Sequence, residues 1–173
     1  MIMDVDDIRR TSEIGAEIVE ILNHFRVVRQ ARAENIRQMM EMAASVFAGP
    51  EEDIRRLADC FQEREKLGAT YIPDMQICLF HGACDLVEHS RFGFLVLDEP
   101  LATTETLIRG AVIMVVPESF RDSYRVEPAG RLSALLVEDE RFLQALQRGD
   151  EAAGFNLARE ALVKYFQHVI RQQ

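Results

Sequence analysis

The chain has 173 residues, 48% of them hydrophobic and 28% charged, and a net charge of −9. This is the balance of one globular domain with a helical extension, and it excludes a disordered or fibrous chain. The negative charge argues against direct nucleic-acid binding by this domain, since gripping a phosphate backbone needs clustered positive charge.

From about Val5 to Gln30, the residues Ile14, Ile18, Ile21, Phe25 and Val28 recur at helical spacing, which predicts one amphipathic helix. Asp4, Asp6 and Asp7 sit where the positive end of its dipole favours acids. Its buried face packs either on its own domain or in a short coiled coil, so a homodimer stays open.

A second helix is expected from about Ala33 to Phe47, stopped by Gly49-Pro50. Pro50 followed by Glu51, Glu52 and Asp53 starts a third, which runs to about Lys66 with Ile54, Leu57 and Phe61 inside and Gly68 as its stop.

Past Gly68 the periodicity changes. Short apolar runs at Ala69–Ile72, Met75–Phe80, Phe92–Leu97 and Ala111–Val116, the first two split by Pro73-Asp74, read as strands. Their near-continuous hydrophobicity predicts cover on both faces. Helix returns over Leu132–Leu146 and, after Gly149-Asp150, over a last segment carrying Phe155, Leu162, Phe166 and Ile170. The expected fold is therefore α/β, a central mixed sheet of short strands flanked by helices on both sides, with an amino-terminal helical extension. Residues 1–32 are assigned to a connector helix and 33–173 to the domain proper.

No apolar run approaches the roughly 20 residues of a membrane span, and the amino terminus lacks a signal-peptide layout. A cytoplasmic protein without membrane insertion is expected. Cys60, Cys78 and Cys84 are an odd number without C-x-x-C spacing, and read as reduced structural thiols. No glycine-rich phosphate loop or metal-ligand cluster occurs, so neither cofactor nor metal is implied.

Four histidines are candidates for chemistry. His24 and His168 fall in polar helical stretches, and His89 in an expected loop where it either is solvated or approaches a site. His81 ends the run Ile77-Cys78-Leu79-Phe80 and precedes Gly82, which is expected to present its ring at a strand terminus, where α/β sheets place ligands. A neutral imidazole is a competent nitrogen nucleophile near pH 7. Near it in sequence, Asp85 and Glu88 are expected to pair with Arg91 on the surface.

The segment Phe61-Gln-Glu-Arg-Glu-Lys-Leu-Gly-Ala-Thr-Tyr-Ile-Pro, then Ile77-Cys-Leu-Phe-His-Gly and the later Arg131-Leu-Ser-Ala-Leu-Leu-Val-Glu-Asp-Glu-Arg-Phe-Leu-Gln-Ala-Leu, resembles mannitol/fructose-type enzyme IIA domains of the sugar phosphotransferase system. The matches span roughly residues 33 to 170. The resemblance implies that His81 is a phosphorylated histidine and that Arg64 supports the phosphoryl site, as its fork of donors suits. Without it, Arg64 reads as a surface partner of Glu63 or Glu65. The resemblance also implies the phosphocarrier HPr as donor and an enzyme IIB as possible acceptor.

Three departures stand out. Phe80 replaces the family's proline and Pro73 its glycine, and the second active-site histidine, expected near Pro128, has no counterpart. Tyr71-Ile-Pro, the strand ending Met114-Val-Val-Pro117 and the Leu132-Ser helix resemble instead the carboxyl-terminal EIIA-like domain of mannitol-operon regulators of the BglG family. That implies a phosphorylation sensor acting on neighbouring regulator domains, with residues 1–32 as the connector.

Overall fold

The computed structural model describes residues 4–68 and 71–172. Helix α1 spans Val5–Asn23, opened by Asp4, whose carboxylate accepts from the Asp7 N–H while the Asp7 side chain bonds back, a reciprocal cap. It stops seven residues before the expected end. Arg26–Gln30 is a strand, β1, pairing in parallel with Gly93–Leu97. The β-branched pair Val27-Val28 suits a half-buried edge strand, but five residues are too few to show a two-residue period against the helical stripe running into them.

Helix α2 (Ile36–Ala44) starts at Asn35, whose side chain accepts from the Gln38 N–H, and α3 (Glu51–Glu65) follows Pro50 as expected. Then come β2 (Tyr71–Ile72), a 3₁₀ turn at Pro73–Met75, β3 (Ile77–Cys84), β4 (Arg91–Ala102) and β5 (Leu107–Pro117). The Ala69-Thr70 part of the first expected strand lies outside the described residues. Helices α4 (Glu127–Glu138), α5 (Glu140–Gln147) and α6 (Glu151–Arg171) complete the chain. No described helix is long and apolar enough to cross a membrane.

The sheet order is β1-β4-β5-β3-β2. β1 with β4 and β3 with β5 are parallel, while β4 with β5 and β2 with β3 are antiparallel. Alternate residues of each strand enter different cores. Ile77, Phe92, Phe94, Val96, Val112, Met114 and Val116 pack under α1, α4, α5 and α6. Cys78, Phe80, Leu95, Leu97, Ala111, Ile113 and Val115 pack under α2 and α3. Two covered faces explain the continuous hydrophobicity of the strands, and the result is the expected α/β sandwich with an amino-terminal helix.

That helix is built into the sandwich. Ile14 and Ile21 are fully buried in the first core, and Gly15 receives the ring of Phe166 from α6. The assigned division at residue 32 falls just after β1.

Candidate functional site

His81 does not end its strand. β3 pairs with β5 from Ile77↔Gly110 through Cys84↔Pro117, placing His81 opposite Met114 in mid-strand. The apolar run marked only the part of β3 that is buried on both faces, while Gly82 and Ala83 carry the pairing further. Among the described residues β3 meets β2 on its other edge only at Ile77 and Cys78, so the imidazole stands beyond that pairing, at a sheet edge that no described strand covers, and not at a terminus.

Helix α3 reaches this edge because position 82 lacks a side chain. A Cβ on Gly82 would lie 3.3 Å from Cys60 Cβ and 3.4 Å from Phe61 Cδ1, and Phe61 stacks on Phe80 at 5.8 Å. Cys60, Glu63 and Arg64 share one face of α3, and Leu67 follows just past its end.

His81 belongs by alternation to the α4 side of the sheet and α3 to the other, yet both line one cavity that wraps around the edge. Its volume is about 870 Å³, and Arg64, His81, Met114, Arg121, Val126 and Ala129 are among its lining residues. The far wall is the start of α4, which no side chain caps, so the positive end of that helix lies at the cavity. Ser133 Oγ donates to Met114 Sδ at 3.2 Å, tying α4 to the strand beside His81.

Burial holds the His81 imidazole below its ordinary pKa of 6.5, and the positive charge of Arg64 lowers it further. The ring is thus neutral at pH 7, with a nitrogen lone pair available. The Cys60 thiol, also on the cavity wall, is pushed up to about 11, chiefly by burial, and stays protonated.

Arg64 forms no ion pair among the described residues. Neither of the alternative surface partners, Glu63 or Glu65, forms an ion pair with it among the described residues, and Glu63 instead meets Lys66 at 2.9 Å. Asp59 on the same wall holds Arg37 at 2.8 Å. The guanidinium is left available to a ligand.

His89 lies away from this cavity. Its Nδ1 sits 2.7 Å from Oε2 of the fully buried Glu17 on α1, so it serves the packing of α1. Arg91 meets Glu20 at 3.5 Å and Asp85 meets Arg56 at 3.2 Å, replacing the expected pairing of Asp85 and Glu88 with Arg91. His24 bonds the Glu20 carbonyl, and His168 lines a separate groove between α4 and α6. Among the described residues no histidine other than His81 lines the cavity; Val126 and Ala129 occupy the wall near Pro128.

Sequence reasoning missed Arg121 and Asp122, which also line the cavity. The available signal was their place just after β5, whose carboxyl end lies beside that of the parallel β3.

Residues 20–157 match the family described as the phosphoenolpyruvate-dependent sugar phosphotransferase system, EIIA 2. No curated protein matches the chain. Among solved structures, the nitrogen regulatory protein IIA-Ntr from Neisseria meningitidis is similar with a TM-score of 0.57 and 20% identity, over 84% of this chain and 98% of that one. The complex of enzyme IIA mannitol with phosphorylated enzyme IIB mannitol from Escherichia coli is similar with a TM-score of 0.50 and 16% identity, over 71% and 89%. At these identities the structural likeness concerns the fold.

Proposed function

The chain belongs to the EIIA 2 family of the phosphoenolpyruvate-dependent sugar phosphotransferase system, and from that membership we propose that it accepts a phosphoryl group on His81, steadied by Arg64, from the phosphocarrier HPr. A ring-nitrogen lone pair of His81 attacks the phosphorus of the donor's phosphohistidine. The donor's N–P bond breaks as the new one forms, and the donor imidazole leaves with that electron pair. Each ring keeps the proton on its other nitrogen, so no proton transfer is needed. Catalysis then rests on positioning and on charge around the equatorial oxygens.

The observation that carries this reading is that His81 and Arg64 line one cavity, with the charge of Arg64 acting on the imidazole. The protein is read as a regulatory EIIA-like domain of the kind found in mannitol-type operon regulators of the BglG family. A cavity with a single histidine supports a sensor over an efficient relay. The other reading, transfer onward to an enzyme IIB, draws on the likeness to the mannitol IIA–IIB complex.

Incubation with phosphoenolpyruvate, enzyme I and HPr should load one acid-labile phosphate, located on His81 by mass spectrometry. His81→Gln should take none, and Arg64→Ala should load about a hundredfold more slowly, the scale for removing one oriented donor. Phosphate retained by His81→Gln sinks the assignment. Rapid discharge of the loaded protein to purified enzyme IIB would favour the relay over the sensor.

A further inference from the structure

We infer that Arg121 is the second cation of the phosphoryl site, held in reserve on Glu118 and transferred to the phosphoryl oxygens once His81 is loaded. This rests on the reading of His81 as the phosphoacceptor and extends it to a residue on a different element.

The case begins with charge. A histidine-bound phosphoryl group brings about two negative charges, whereas Arg64 supplies one positive charge. Arg121 is the other cation among the residues lining the cavity. The acids on the α3 wall do not compete for it, since Asp59 is held by Arg37 and Glu63 by Lys66. Asp122 is exposed on the rim, where water and salt screen its repulsion.

Position and freedom agree with the role. Arg121 follows the 3₁₀ turn Glu118–Phe120 at the end of β5, so it approaches from the side opposite α3. Its side chain is 67% exposed, and its ion pair is an i,i+3 contact with Glu118 at 2.7 Å, a surface pair that contributes little and is released easily. The backbone beneath is fixed. Phe120 is 2% exposed, and the guanidinium of Arg125 lies 4.3 Å from the centroid of its ring. Rotation of the Arg121 side chain about this anchored turn is the movement the role requires. A guanidinium arriving there meets phosphoryl oxygens with a two-pronged donor that stays charged at any working pH.

The experiment measures the equilibrium constant for phosphoryl exchange between HPr and the full chain, in the wild type, Arg121→Gln, Arg121→Lys and Glu118→Gln. Circular dichroism and urea midpoints check that each variant folds. Arg121→Gln should lower the constant about tenfold, the scale of one charge-assisted hydrogen bond. Arg121→Lys should recover part of the loss, and Glu118→Gln, which frees Arg121 beforehand, should raise the constant. A merely structural role for the pair would move Arg121→Gln and Glu118→Gln in the same direction. A wild type that is phosphorylated while Arg121→Gln and Glu118→Gln share its constant overturns the role of Arg121 alone. A wild type that takes no phosphate overturns the phosphoacceptor reading and this one together.

Discussion

His81 is tuned by two effects of the same sign, burial first and the Arg64 charge second, and both favour the neutral ring. The tuning has a consequence for stability. Unfolding returns the imidazole to its ordinary pKa of 6.5, so between the lowered folded value and 6.5 the unfolded chain binds more protons than the folded one. Stability then rises with pH across that window, and is lost as pH falls from 6.5 toward the folded value. Urea midpoints for the wild type and His81→Gln should therefore diverge as pH falls below 6.5, with the wild type losing more on acidification. Parallel curves would show that the ring is no less basic when folded. Among the four histidines, His81 alone joins an apolar strand to a glycine, which made it a candidate, and the family resemblance singled it out. Its neutral state was not legible, because desolvation and the approach of Arg64 arise from elements far apart in sequence.

Sheet assembly depends on two glycines at close approaches between strands. A Cβ on Gly93 would sit 2.7 Å from the Arg26 carbonyl oxygen of β1, and one on Gly110 would sit 2.6 Å from the Leu95 carbonyl oxygen and 2.9 Å from the Phe94 ring. Gly110→Ala should thus cost about 1–3 kcal/mol, as overpacking does, read as a lower urea midpoint. Gly130→Ala, at an exposed position of α4 with nothing within 4 Å of the added carbon, should gain about 0.5–1 kcal/mol from helix propensity. Equal effects at the two sites would refute the assigned crowding. Both positions are plain glycines in the sequence. The helical stripe that ran on through Phe25 and Val28 failed for a related reason: it registers that a residue is apolar, whereas membership of β1 depends on hydrogen bonds to β4 some 67 residues on, as in the pair Arg26↔Gly93.

Across the fold, the fully buried Glu17 joins three separate segments. It accepts from the Ser90 N–H at 3.3 Å, meets His89 Nδ1 at 2.7 Å, and lies 3.6 Å from Arg125 Nη2. Helix α1 is thereby fixed to the β3–β4 connection and to the segment after β5, which also carries Arg121 and Val126 of the cavity. Glu17→Ala leaves the buried Ser90 N–H without its acceptor and removes the shared partner of His89 and Arg125, and should cost about 1–3 kcal/mol, an appreciable part of the roughly 5–15 kcal/mol that stabilises a domain. Chemical denaturation measures the loss, and a change below about 1 kcal/mol would show that the network contributes no more than a surface pair. An acid on a helical stripe between Ile14 and Ile18 gives no sign of this role, because an exposed glutamate has the same local pattern.

The amino-acid sequence by itself determined the layered α/β architecture, since strands of nearly continuous hydrophobicity need cover on both faces. It also determined the starts of α3 and α6, since Pro50 with its following acids and Asp150 act within one turn. Its resemblance to a known family singled out His81 and Arg64. Only the tertiary structure decided that β1 is a strand, that His81 stands at an open edge in mid-strand, that His89 serves Glu17, and that Arg121 faces the same cavity as Arg64. Periodicity and caps are local and can be read from neighbouring residues, whereas strand partners, edge exposure and convergent charges come from segments that meet only when the chain has folded.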